Sequence, residues 1–184
     1  ITQAKFYRIS GASTQHKGVV PDIVMPALID KTKVGEDSLE HALKWDAIES
    51  AKFQNLNYVE NIAQTLIEQH MQRIVLQPEY NILLEEIALL ESQRAKDRVT
   101  LNKKERKFEN AAFDKAQLTI INKRRELDKL EAFKSIDDWS EFQKEQANNT
   151  DENNDDKVDF VVKESAEVLL DFIELQEVLT AKAA

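Results

Sequence analysis

Ala4-Lys-Phe-Tyr-Arg-Ile-Ser-Gly-Ala-Ser-Thr-Gln-His-Lys-Gly-Val-Val-Pro-Asp-Ile-Val-Met-Pro26 is the stretch on which the reading of this chain turns. Lys5, Tyr7 and Ile9 alternate with Phe6, Arg8 and Ser10, and the aromatic and β-branched content favours a short extended strand. Gly11 supplies a turn conformation that other residues resist. Val19 and Val20 resume extended chain, because Pro21 turns the residue before it away from helix. Ile23, Val24 and Met25 then form an apolar run closed by Pro26. Two such strands cannot bury their faces alone, since an isolated hairpin is marginal in water. Residues 1–26 therefore read as the end of a folded β unit whose neighbours lie elsewhere. The chain opens at Ile1 on a strand already under way, with neither initiator Met nor signal peptide, and is expected to be a piece of a longer polypeptide.

Outside this stretch the punctuation almost disappears. Of three glycines and three prolines, only Gly35 and Pro78 follow Pro26, so long helices are expected. Residues 27–57 read as a connecting segment with a short helix at 38–45, where Leu39, Ala42 and Leu43 take helical spacing and Asp37 or Ser38 caps. Residues 58–184 read as a helical domain. Val59, Ile62, Ala63, Leu66, Ile67 and Ile74 make one stripe of a first helix over 58–76. Pro78 suits the first turn of a second, in which Tyr80, Leu83, Leu84, Ile87 and Leu90 repeat the pattern. A charged helix over 100–130 carries Leu101, Phe108, Ala112, Phe113, Ala116, Ile120, Ile121 and Leu127. A last helix over 158–180 sets Val161, Val162, Ser165, Leu169, Phe172, Leu175 or Gln176, and Leu179 on one side. The expected fold is mainly α, a small N-terminal β remnant followed by four or five helices.

The charge is unevenly spread. Residues 93–134 hold 13 Lys/Arg against 7 Asp/Glu, whereas residues 135–184 hold 4 against 14, in a chain of net charge −9. Between the helices of these two blocks, residues 146–157 form an acidic, Asn-rich tract with no large apolar side chain, expected to be a disordered loop. The split predicts that the acidic last helix packs beside the basic one. No apolar run approaches the roughly 20 residues of a membrane span. With no cysteine, disulfides and thiolate sites are excluded and the compartment is left undecided.

The opening stretch, with His41-Ala-Leu-Lys-Trp-Asp46, resembles the bacterial tail-specific, or carboxy-terminal processing, proteases. The family pattern of Lys-Phe-Tyr-Arg, Gly-x-Ser-Thr-Gln, Lys-Gly-Val-x-Pro-Asp-Ile, Pro and Ala-Leu-x-x-Asp is met at residues 5–8, 11, 13–15, 17–19, 21–23, 26, 42–43 and 46. Ala12 stands where the family has Gly, and Lys44 where Pro is usual. The resemblance is sharp over the first quarter of the chain and softens beyond it. It implies a parent protein that is a periplasmic serine endopeptidase with a Ser/Lys pair, acting on proteins with nonpolar C-termini. It also implies that the nucleophilic serine, in a Gly/Ser/Ala-rich segment, and the lysine, in a Gly-Lys-Gly segment, lie outside this chain. Lys17-Gly18 belongs to the later signature, so no catalytic residue is assigned here. The chain's expected contribution is architectural: a helical wall that limits access or receives substrates and an adaptor protein. The alternative is a stand-alone helical interaction module with no enzymatic activity.

The remaining candidates read as structural. Lys103, Lys104, Arg106, Lys107, Lys123, Arg124 and Arg125 could neutralise phosphates. Acids interleave them, however, and no aromatic platform accompanies them, so nucleic acid is not the expected partner. His16, His41 and His70 form no metal-ligand spacing, and His70 continues the stripe of Ile62 and Leu66 as a half-buried packing residue. Ser13, His16 and Asp22 spell a triad in one loop, too close together to aim at one substrate atom. The acidic tract lacks the central Gly and terminal Glu of a calcium loop. Neither metal nor cofactor is expected. If the edge of residues 1–26 pairs at all in this chain, the expected partner is a second copy.

Overall fold

The computed structural model describes residues 4–29, 34–35, 38–54, 56, 58–148 and 159–183. It divides into two compact units, Ile1–Ile67 and Glu68–Ala184. Among the described residues there are five helices: α1 (Ala63–Ile74), α2 (Pro78–Arg94), α3 (Lys103–Leu127), α4 (Ile136–Asn148) and α5 (Phe160–Ala183).

The first unit corrects the expected β remnant. Instead of strands, the described residues make two isolated antiparallel bridges, Tyr7 with Ser13 and Ala12 with Ala47. The turn at residues 9–11 closes too soon for a ladder: Gly11 N–H donates to the Arg8 carbonyl at 2.8 Å and Arg8 N–H to the Ala12 carbonyl at 2.9 Å. Val19, Val20 and Val24 belong to no bridge and are more than half exposed. Alternation gave them the right local preference but no neighbouring strand to pair with. The helix expected at 38–45 is also absent. Among its described residues there are short turns, in which Ser38 N–H donates to the Gly35 carbonyl at 3.2 Å and Ala42 N–H to the Leu39 carbonyl at 3.1 Å. Asp37, the alternative cap, lies outside the described residues.

Helix α1 buries Leu66, His70 and Ile74, and Ile62 in the turn before it is buried too, positions four apart that fall on one stripe. Residues 58–62, expected in this helix, form the turns that lead into it. Pro78 opens α2 as expected, since its missing N–H is one the first turn leaves unpaired anyway.

In the second unit α2 packs on α3 and α3 on α4, with Ile82 of α2 and Ile120 of α3 buried. Asn102 caps α3, its side-chain oxygen accepting Lys104 N–H at 2.9 Å, while its side-chain Nδ2 donates to the Glu105 carboxylate at 3.2 Å. This side-chain cap fixes the helix start. Lys129, in the left-handed conformation at φ 57°, ends α3, and Leu130 N–H returns to the Arg125 carbonyl at 2.9 Å. Such a residue reverses the chain and satisfies the last carbonyls. Asn122 then clasps the connection to α4, donating to the Phe133 carbonyl at 2.9 Å and accepting its N–H at 2.8 Å.

Helix α4 had no counterpart in the expected helices, although its signal was present. Ser135 and Asp138 exchange hydrogen bonds, each side chain accepting the other's N–H at 3.1 Å, which is a capping box written Ser-x-x-Asp. Phe142 of α4 meets Phe133 with ring centroids 5.4 Å apart. The first residues of the expected loop, 146–148, belong to α4, and the rest of the tract to residue 157 lies outside the described residues.

Candidate functional site

Two constellations gather polar side chains. The first is the set of signature residues, and its geometry is that of a clasp. Tyr7 donates its phenol to both Asp46 carboxylate oxygens at 3.2 Å. Lys5 lies 3.1 Å from the same carboxylate and donates to the Lys44 carbonyl at 2.6 Å. Trp45 donates its indole N–H to the Ser13 carbonyl at 3.0 Å, and Lys17 stands 4.2 Å over the Trp45 ring. Backbone bonds complete the seam: Ser13 N–H to Asp46, Ile48 N–H to Gly11 and Ala51 N–H to Ile9, all at 2.9–3.0 Å. Gly11 is required here. It sits at φ 82°, and a Cβ on it would lie 2.0 Å from the Ile48 carbonyl oxygen, so only glycine lets the two segments touch.

This arrangement joins segments 39 residues apart. Ser13 is buried, and its hydroxyl accepts Gln15 N–H at 3.0 Å. His16 is in the left-handed conformation at φ 60° in the turn that follows. The triad written by Ser13, His16 and Asp22 thus begins with a serine whose hydroxyl is turned into its own loop. Partial loss of water, with the hydrogen bond and charge of Asp46, raises the Tyr7 phenol above its ordinary value. That holds it as a neutral donor to the carboxylate.

The second constellation is buried between α1 and α5. Glu164, 3% exposed, accepts from His70 Nδ1 at 2.8 Å and from Arg73 Nε and Nη2 at 3.1 and 2.9 Å. Arg73 also donates Nη1 to Asp171 at 2.8 Å. A carboxylate only accepts, so Nδ1 of His70 carries the proton in this contact. Burial by itself raises the Glu164 carboxyl, but the hydrogen bonds from Arg73 and His70 outweigh it and hold the group below its ordinary value. The Glu164 hydrogen bond in turn raises the Arg73 guanidinium. His70 is therefore a buried, hydrogen-bonded member of a charged cluster rather than a half-buried packing residue. Glu164 was not singled out in the sequence, because an acid flanked by Val161, Val162 and Ser165 reads as the polar side of the helix.

This cluster also overturns the expected orientation and neighbour of α5. With Glu164 and Asp171 turned to Arg73, the half-buried side carries Val161, Val168, Phe172 and Leu175, whereas Val162 and Leu169 are each 57% exposed. The partner is α1, not the basic helix. The basic side chains of α3 are matched elsewhere: Lys123 pairs with Glu85 of α2 at 2.6 Å and Arg124 with Glu86 at 2.8 Å. Arg125 donates to the Glu131 carbonyl and stacks 4.1 Å from the Phe133 ring. Among the described residues, no three His, Cys, Asp or Glu side chains are grouped to hold a metal ion, and no helix is long and apolar enough to cross a membrane.

Comparison with known proteins places the chain in a class of protease-associated helical domains. Residues 29–174 match the family described as the C-terminal domain of tail specific protease. Over 175 residues, 94% of this chain, it is 37% identical to the tail-specific protease of Haemophilus influenzae, of which the matched part is 24%. The chain belongs to this C-terminal domain family, and it spans about a quarter of the length of that curated relative.

Proposed function

We propose that this chain is the C-terminal domain of a larger, periplasmic serine-type endopeptidase that acts on proteins with nonpolar C-termini. It contributes architecture rather than chemistry. The observation that carries this reading is the clasp: among the described residues, Lys5, Tyr7, Lys17, Trp45 and Asp46 use their side chains to join residues 5–17 to residues 44–51, and Ser13 turns its hydroxyl to Gln15 N–H. Covalent catalysis needs a nucleophile and a base within hydrogen-bond reach of each other. Family membership supports the peptidase parent, and the signature resemblance supports its Ser/Lys chemistry and location. The helical unit then serves as the wall or docking platform beside the active-site domain, facing substrate or an adaptor protein.

The test is direct. The purified 184-residue chain, incubated with an unfolded protein bearing a nonpolar C-terminus, is expected to give no cleavage above buffer. Joined to an upstream portion that carries a Gly-Lys-Gly segment, it is expected to support cleavage that ends when that lysine is replaced. Turnover by the chain alone that survives repurification and disappears in Ser13→Ala would overturn the assignment.

A further inference from the structure

The match to the C-terminal domain family begins at residue 29, but the clasp runs across that boundary. Residues 6–8, 12–14 and 46–48 stand side by side through two bridges, Tyr7 with Ser13 and Ala12 with Ala47. In the second bridge Ser13 N–H donates to the Asp46 carbonyl and Ile48 N–H to the Gly11 carbonyl. Paired in this antiparallel sense, Ala12 and Ala47 turn their own N–H and carbonyl groups away from each other. The Ala12 carbonyl accepts Arg8 N–H at 2.9 Å. The N–H and carbonyl of Ala47 face the opposite edge, where among the described residues they meet no partner. Beside these rungs Phe6, Ile9 and Ile48 are each more than half exposed.

We propose that residues 44–51 are a strap of the domain that precedes residue 29, and that a strand of that domain, outside this chain, pairs with the Ala47 edge. The inference rests on the peptidase reading above. Three observations identify the occupant. An unpaired N–H and carbonyl at an edge take an extended strand, because main-chain bonds supply the affinity. The neighbours the strap already has, residues 5–17, carry the protease signature, so the edge continues a seam already made with that domain. The helices belong to a separate compact unit, Glu68–Ala184, and the matched part is 24% of the curated relative's length, which leaves ample chain to supply the strand. The C-terminal domain family is therefore bipartite: its first residues complete the peptidase unit, and the helices that follow form the wall or platform.

Amide exchange followed by NMR reads the edge directly. In the 184-residue chain the Ala47 amide is expected to exchange faster than that of Ile48, which is bonded to Gly11. In the joined protein of the preceding test it is expected to slow about a hundredfold. Ala47→Pro removes only the outward N–H, a change that edge positions allow. It is expected to leave exchange at Ser13 and Ile48 unchanged in the 184-residue chain and to lower the melting temperature of the joined protein. Ending the joined protein after residue 57 removes the helices and is expected to keep Ala47 protected. Equal exchange of Ala47 in the two proteins, or a joined protein indifferent to Ala47→Pro, would overturn the proposal. So would protection in the 184-residue chain that grows with its concentration, which gives the edge to a second copy. A joined protein that protects Ala47 yet cleaves nothing supports the strap and refutes the peptidase reading instead.

Discussion

Replacing Arg73 by Met tests whether the buried charged cluster holds α5 in place. The substitution keeps most of the side-chain length and removes every donor that Glu164 and Asp171 receive from the guanidinium. Glu164, 3% exposed, keeps only its contact with His70 at 2.8 Å. Removing one partner of a buried ion pair costs about 3–5 kcal/mol, mostly from the charge left behind. Arg73 and Asp171 retain 24% and 19% of their side-chain exposure, so water softens that penalty, and about 2–3 kcal/mol is the expected loss. For a chain of this length, each kcal/mol lowers the melting temperature by about 2–4 °C, giving roughly 5–10 °C. Thermal circular dichroism measures it. Glu164→Gln in the Arg73→Met background removes the stranded charge, so the double variant is expected to melt above Arg73→Met alone. The sign of the pH dependence follows from the same contact. Because the folded Glu164 carboxyl lies below its ordinary value of 4.5, its stabilisation is complete above that value. It is lost as pH falls through the lower folded value. Arg73→Met is therefore expected to flatten the loss of stability in that acid range. A variant that melts within about 1 °C of the parent chain, or a double variant whose losses simply add, would refute the reasoning.

Two further outcomes follow from the clasp and from α3. Gly11→Ala places a methyl 2.0 Å from the Ile48 carbonyl oxygen in a left-handed residue; it is expected to open the seam, read as faster amide exchange at Ser13, Ile48 and Ala51 with α2–α4 unaffected. Lys123→Ala removes a pair whose partners are 44% and 46% exposed; it is expected to cost no more than about 1 kcal/mol, and salt near 1 M to shift the melting temperature only slightly, as both effects are surface electrostatics.

The parts of the fold that were legible in the sequence are those decided locally. Pro78 could open a helix and could not sit inside one, and the stripe of Ile62, Leu66 and Ile74 had a single consistent rotation. Helix α5 had two. Val161 and Val162 lie on either side of it, as do Leu169 and Phe172, so hydrophobic spacing permitted either face to turn inward. A buried carboxylate chose between them, and burial of Glu164 depends on an arginine 91 residues away that no local pattern announces. The strands failed for a related reason. Residues 5–10 alternate as a strand does, but a ladder is a property of two segments, and the nearest partner, residues 46–51, meets residues 9–13 at single rungs. The signature cluster was recognisable as residues and opaque as geometry. Lys5, Tyr7, Gly11 and Asp46 looked like the mark of an enzyme, and only their distances reveal that they are fasteners.

The separation between Arg73 and Glu164 also sets an order of events during synthesis. Helices α2, α3 and α4 meet neighbours within a few tens of residues and can zip together as they are made. Helix α1 must wait until the last helix emerges. Closing so long a loop costs little more than closing one of half the length, about 0.6 kcal/mol, but it cannot begin before translation reaches residue 164. During that delay the waiting surface presents an imidazole and a guanidinium among the side chains of Leu66 and Ile74. Water solvates those groups readily, whereas an uncovered apolar groove would invite other nascent chains. The ionic anchor thus makes the uncovered face less apolar than four hydrocarbon side chains in a row would be, as well as orienting the final helix.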